Sequence, residues 1–128
     1  MKRTTLGYPK SKDVKKKPEK YWKSRCWSLI SIKVRSRGYC EMCKKELEPK
    51  SLDAAHIIPR NLSKHLWCDE SNLMSLCYYC HIQIWHKYPH KAIEWFDREY
   101  PDKYRVLLNE KEKKVKIDYE ELYNSLKQ

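Results

Sequence analysis

Two cysteine pairs, "CEMC" at Cys40 and Cys43 and "CYYC" at Cys77 and Cys80, constrain this chain more than any other feature. Each C-x-x-C turn aims its two sulfurs the same way, and two such turns close one tetrahedral thiolate site with Zn–S near ~2.3 Å. Thirty-three residues lie between the pairs, more than the usual ribbon spacing, so a structural Zn²⁺ would staple the two ends of a folded insert. Lys44 and Lys45 help offset the charge of four thiolates. Free buried cysteines and a redox dithiol are the alternatives, and two matched pairs weigh against both. Cys26 and Cys68 stand outside the pattern and read as ordinary small side chains, Cys26 at a core-facing helical position.

The 128 residues fit one small domain with an appended tail. With 41% hydrophobic residues, five tryptophans and ten tyrosines, the chain can bury a modest core. No apolar run approaches the roughly 20 residues that span a bilayer, and the basic N-terminus has no apolar segment after it, so an intracellular location is expected. The net charge of +11 is unevenly spread. Residues 1–25 hold ten Lys/Arg against two acids, and the rest hold eighteen against fifteen. The excess is an N-terminal arm, residues 1–20, expected to be disordered or extended and suited to a polyanion such as nucleic acid, with Lys15, Lys16 and Lys17 as candidate contacts. The folded domain is expected over residues 21–128.

Along that domain, Trp22, Cys26, Leu29, Ile30 and Val34 fall near helical spacing from Tyr21 to Arg37, closed by Gly38. "SLDAAHII" and "SNLMSL" read as two short strands joined by a polar loop from Pro59 to Glu70. A helix is expected near Cys80, interrupted by Pro89, which opens the next helix to Tyr100; Pro101 repeats the device to about Lys111. Asp118 with Glu121 makes a capping-box-like start to a last helix through Leu126. Trp67, Trp85, Trp95 and Phe96 read as core.

The insert carries His56 in "AHIIP" and Asn72 in "NLMSL", and His81 directly follows the last cysteine. This order resembles the HNH endonuclease superfamily, the ββα-metal nucleases, over roughly Cys40 to His86. More loosely, the wider run resembles small phage-encoded HNH proteins, including recombination proteins of the NinG type. The resemblance implies an α+β fold, a small ββα-metal core stapled by zinc and flanked by helices. It implies a metal-dependent DNA endonuclease in the cytoplasm of a bacterial or phage-infected cell. His56 matches the general base, a role suited to a side chain that titrates near working pH. Asn72 matches the residue that braces the hairpin, and His81 matches a ligand of the catalytic Mg²⁺ or Mn²⁺. The alternative is a catalytically inactive, zinc-stapled nucleic-acid-binding module.

One position departs from the family pattern. The residue before the base is commonly aspartate or histidine, a second metal ligand, and here it is Ala55. Asp53 stands in as a candidate ligand, displaced by about 6.6 Å along the strand, and Asp69 is another possible donor. Arg60 is placed to clamp a phosphate. His86, five residues after His81, sits about 140° away on an α-helix, so no pairing of the two is expected. His65 reads as a solvated loop residue, and His90 is cut off from His86 by Pro89.

Overall fold

The computed structural model describes residues 16–128; residues 1–15, including Lys15 and most of the expected basic arm, lie outside that range. Helix α1 spans Glu19–Arg35, two residues earlier at each end than the apolar pattern suggested. Pro18 supplies the extended N-cap backbone, and Glu19 in the first turn faces the positive end of the helix dipole. Cys26, Ile30 and Val34 form the buried stripe, at spacing of four. Ser36 caps the other end, and Gly38 turns the chain at φ 83°, a left-handed conformation that disfavours any side chain.

The chain then makes the first cysteine turn. Cys40 N–H donates to Lys45 O at 2.9 Å, Lys44 N–H donates to Cys40 O at 2.8 Å, and Lys44 takes φ 68° to close the knuckle. Strands β1 (Leu52–His56) and β2 (Leu73–Cys77) pair antiparallel, Leu52 opposite Cys77 and His56 opposite Leu73. The strand pattern extended to Ile58, but pairing stops at His56 because Asn72 takes over the backbone groups beyond it. Helix α1 packs against both strands and the helix after β2 packs on β2. Leu73 to Leu76 are therefore all buried, as in a strand covered on both faces.

After β2 the chain winds as a π-helix over Tyr79–His86, then breaks at Tyr88. Pro89 opens α2 (Pro89–Glu99) as expected. Helix α3 (Lys103–Glu112) does not start on Pro101; Asp102, at φ 69°, turns the chain first. Helix α4 (Tyr119–Leu126) starts where Asp118 accepts Glu121 N–H at 3.1 Å, and it lies along α1. Two apolar clusters result. One gathers Leu52, Met74, Leu76, Trp85, Phe96 and Leu107 between the sheet, π-helix, α2 and α3. The other sets Cys26, Ile30 and Val34 against Cys68, Leu73 and Tyr119. Among the described residues, no helix is long and apolar enough to cross a membrane.

One polar group holds these layers together and was not anticipated. Glu41, between the first two metal-pair cysteines, is buried and bonded on both oxygens. Its Oε2 accepts Ser75 N–H at 2.7 Å and pairs with Arg37 Nη1 at 2.7 Å; its Oε1 accepts the Tyr100 hydroxyl at 2.9 Å. The knuckle, β2, the end of α1 and the end of α2 thus meet on one carboxylate. Burial, with the Glu41 charge beside it, raises the Tyr100 phenol above its usual range. Removing one partner of such a network leaves the others desolvated and unmatched. Glu41→Ala is expected to destabilise by about 2–4 kcal/mol, discounted because Arg37 is partly solvated. Glu41→Gln, which retains an acceptor, should lose less. Urea midpoints of the zinc-loaded protein measure both; equal, near-wild-type midpoints would show that the network is energetically idle.

Candidate active site

The four cysteines of the two pairs come together, their sulfurs all within 4.8 Å of one another. Cys43 Sγ and Cys77 Sγ are 3.9 Å apart, close to the edge of about 3.8 Å that a tetrahedron with ~2.3 Å arms requires. Each turn points an amide at its own first sulfur: Cys43 N–H to Cys40 Sγ at 3.5 Å, Cys80 N–H to Cys77 Sγ at 3.4 Å. Burial pushes the Cys40 thiol up, but the amides of Cys43, Cys77 and Met42 outweigh it and bring it to about 7. The donor set is placed to hold a metal ion, and four thiolates suit zinc. Cys26 and Cys68 are buried elsewhere, as the spacing indicated; burial, then the neighbouring Cys26, pushes the Cys68 thiol up to about 12.

His56 ends β1 and is partly covered. Its Nε2 lies 2.9 Å from Trp67 O. A carbonyl only accepts, so Nε2 carries the proton and Nδ1 of the neutral ring keeps its lone pair. The ring stacks on Trp27 of α1, centroids 5.1 Å apart and planes 12° apart. Burial lowers the His56 pKa below its ordinary value; the charges of Arg60, His81 and His86 add to this, and the Trp67 carbonyl opposes it. The imidazole is therefore held neutral and basic at one known atom.

Asn72 is fully buried just before β2. Its Oδ1 accepts Ile58 N–H at 2.8 Å, and its Nδ2 donates to Ile58 O at 3.0 Å and Leu66 O at 3.1 Å. The side chain clamps both ends of the loop between the strands. Leu66 neighbours Trp67, so the amide that fixes Leu66 also sets the carbonyl that orients His56. The loop is less polar in its packing than its composition suggested, because Ser63, Leu66 and Cys68 are buried.

The expectation for His86 is overturned. His81 Nε2 and His86 Nε2 lie 3.1 Å apart, with ring centroids at 4.7 Å. The 140° separation assumed α-winding. In the π-helix the wider turn, with bonds from i to i+5, brings residues five apart over one another. Asp53 on β1 completes the cluster, its Oδ2 accepting from His81 Nδ1 at 3.0 Å. That bond places the His81 proton on Nδ1 and turns the lone pair on Nε2 toward His86. Asp53 thus touches the nitrogen opposite the one that faces His86. Asp69 is committed to Ser71, whose N–H and hydroxyl it accepts at 2.9 and 2.7 Å. Burial, then the His81 charge, lowers the His86 pKa. Nε2 atoms about 3 Å apart fit two imidazoles sharing one divalent ion at ~2.0–2.1 Å each.

His56, His81 and His86 line a single open cavity of about 630 Å³ with Arg60, Asn61 and Trp85. Trp85 is buried and donates from its indole Nε1 to His56 O at 3.0 Å. Lys16 and Lys17 are exposed ahead of α1. Trp67 packs against the second apolar cluster, as the core reading has it, and its remaining surface lines an open basic cavity. His65 is not simply solvated, since its Nδ1 faces Ser63 Oγ at 3.3 Å and its Nε2 is buried without a partner among the described residues.

We expect one zinc per chain on metal analysis of protein purified without chelator. Because the cysteines close the insert, stripping the metal should unfold the hairpin and not merely stop activity. Native far-UV circular dichroism after complete metal removal would overturn this. Searches of curated proteins and of solved structures return no match to the chain. The model of the HNH endonuclease family matches residues 40–87, which leaves α1 and the three C-terminal helices outside it. The stretch that carries the four cysteines, His56, Asn72, His81 and His86 is thus the part of the chain that is similar to the HNH endonuclease family.

Proposed function

We propose that the chain is a metal-dependent endonuclease that hydrolyses DNA phosphodiester bonds, with His56 as the general base. The observation that carries this reading is the His56 ring itself. Its Nε2–H is committed to the Trp67 carbonyl, its Nδ1 has no hydrogen-bond partner among the described residues, and His56 lines a cavity shared with the His81–His86 pair. Nδ1 takes the proton of a water that attacks phosphorus, while the bond from phosphorus to the leaving sugar oxygen breaks. His81 and His86 offer their Nε2 atoms to a divalent ion, Mg²⁺ or Mn²⁺, and Asp53 fixes the His81 ring for that purpose. When bound, the ion supplies charge neutralisation at the phosphate and the leaving oxygen. His86 answers the departure at Ala55, whose methyl is fully buried and offers no ligand. Arg60, on the cavity rim, is placed to pair with a phosphate. Zinc in the four-cysteine site has a structural role, and Asn72 acts through the loop it clamps. Lys16, Lys17 and Lys15 are proposed as contacts to the DNA backbone.

Plasmid cleavage with Mg²⁺ or Mn²⁺ tests the reading. His56→Ala should lower cleavage by about 10² to 10⁴ with DNA binding and zinc content kept. His81→Ala and His86→Ala should each raise the Mn²⁺ needed, and Asp53→Asn should shift that requirement by about 10- to 100-fold with the rate at saturating metal largely restored. If wild type and His56→Ala cleave alike, or neither cleaves at millimolar Mn²⁺, the catalytically inactive, zinc-stapled DNA-binding module is the better account.

The pH profile gives an independent check. A base with a depressed pKa is unprotonated above that pKa and is lost only as pH falls through it. At saturating metal, the acid limb assigned to His56 should therefore lie below pH 6.5. A midpoint above 6.5 would contradict the geometry described for His56.

A further inference from the structure

We infer that the cavity between the start of α1 and the loop after β1 receives an unpaired nucleotide of the DNA, stacked on Trp67. The substrate class is then DNA with a local gap, bulge or flap, not continuous duplex. The inference rests on the proposed nuclease reading for the phosphate that is cut, while the cavity stands on its own features. It encloses about 590 Å³, within the range of about 300–1,000 Å³ usual for small-ligand sites. Lys20, Lys23, Arg60 and Lys64 line it against the single carboxylate of Glu19. Its aromatic lining is Trp27 and Trp67.

Charge alone would suit any polyanion. The tryptophans narrow the choice, because a partly exposed indole whose ring is overlaid by lysine and arginine cations offers a base a stacking surface once those mobile side chains turn to the phosphates. Bases within a duplex already stack on their neighbours, so an unpaired base is the one with a free face. Lys23 Nζ sits 5.4 Å and the Arg60 guanidinium 6.0 Å from the Trp67 ring centre, so cations and aromatic surface meet at one spot.

Position ties this cavity to the proposed catalytic centre. Trp27 stacks on Trp67 at 5.4 Å and 22°, and on His56 at 5.1 Å and 12°, so the three rings step from the cavity to the base. Arg60 and Asn61 line both this cavity and the one holding His56, His81 and His86. A third opening of about 600 Å³ shares Trp27 with the first cavity and His81 with the second, and carries Arg35, Lys50 and the exposed Tyr78. A strand held at Trp67 therefore has the histidines and further cations in the adjoining openings.

The test is binding by fluorescence anisotropy, using the full zinc-loaded chain without added Mg²⁺ or Mn²⁺. The probes are a labelled duplex and the same duplex with a short single-stranded gap. The gapped DNA should bind about fivefold or more tightly. Trp67→Leu should bring the two within about twofold, and Trp67→Phe, which keeps a π-face, should restore most of the difference. Zinc content and circular dichroism establish that each variant is folded. Should Trp67→Leu fail to fold, Lys20→Gln with Lys64→Gln decides: their salt slope on gapped DNA should fall by about 1–2. Equal affinity for the two DNAs overturns the inference, as does a preference that survives Trp67→Leu or a salt slope unchanged by the paired lysine substitutions. Cleavage of both DNAs with Mn²⁺ separates the two readings. Equal cleavage with equal binding keeps the nuclease and removes the pocket; preferential binding without cleavage does the reverse.

Discussion

The side-chain amide of Asn72 is the interaction on which the site depends. One buried group satisfies the N–H and C=O of Ile58 and the C=O of Leu66, backbone atoms that β-pairing leaves unmatched once β1 ends. An unpaired buried backbone group costs about 1–3 kcal/mol, so this exchange lets the chain leave the sheet at His56 and return at Leu73 without penalty. The position of the Trp67 carbonyl follows from that loop, and the orientation of His56 follows from the carbonyl. A hydrophobic residue of the same volume would fill the space but release the loop.

A second constraint comes from winding. Cys77 and Cys80 fix the start of the helix after β2, and Pro89 fixes where the next begins. Between them the backbone opens to π-bonding, and the change of pitch converts a spacing of five into a shared face. His81 is then held from two sides, by Asp53 on β1 through Nδ1 and by His86 within its own helix at Nε2. The paired strands and the helix are thereby linked through the imidazole that faces the cavity. π-Turns recur at functional sites for this reason: they re-aim side chains that α-geometry would scatter.

Features set by local chemistry were legible in the sequence. The C-x-x-C turns, the Asp118 cap and Pro89 at the head of α2 each depend on a few adjacent residues. The hairpin was legible because two short apolar runs flank a loop rich in turn residues. The α+β order of the HNH segment followed from them. The histidine pair was not legible, since nothing in "CHIQIWH" distinguishes π from α winding before the flanking elements are placed. Glu41 was hidden for another reason. An acid between two cysteines reads as surface, and its partners Ser75 and Tyr100 lie 34 and 59 residues away. Trp67 was legible only in part: it packs against the second apolar cluster as composition suggests, and only the fold shows its remaining surface beside lysines.

The stacked rings of Trp67, Trp27 and His56 give binding and chemistry a common support. Trp27 sits on α1, outside the matched segment, yet it covers the His56 ring and contributes to the burial that lowers its pKa. A carboxylate at the place of the Trp67 carbonyl would orient the same tautomer but favour the charged imidazolium more strongly. A backbone carbonyl orients the ring with a weaker pull, and burial prevails. The proposed base is therefore biased toward its neutral form by a helix beyond the matched segment, and that segment depends on α1 for the environment of His56 as well as for its core.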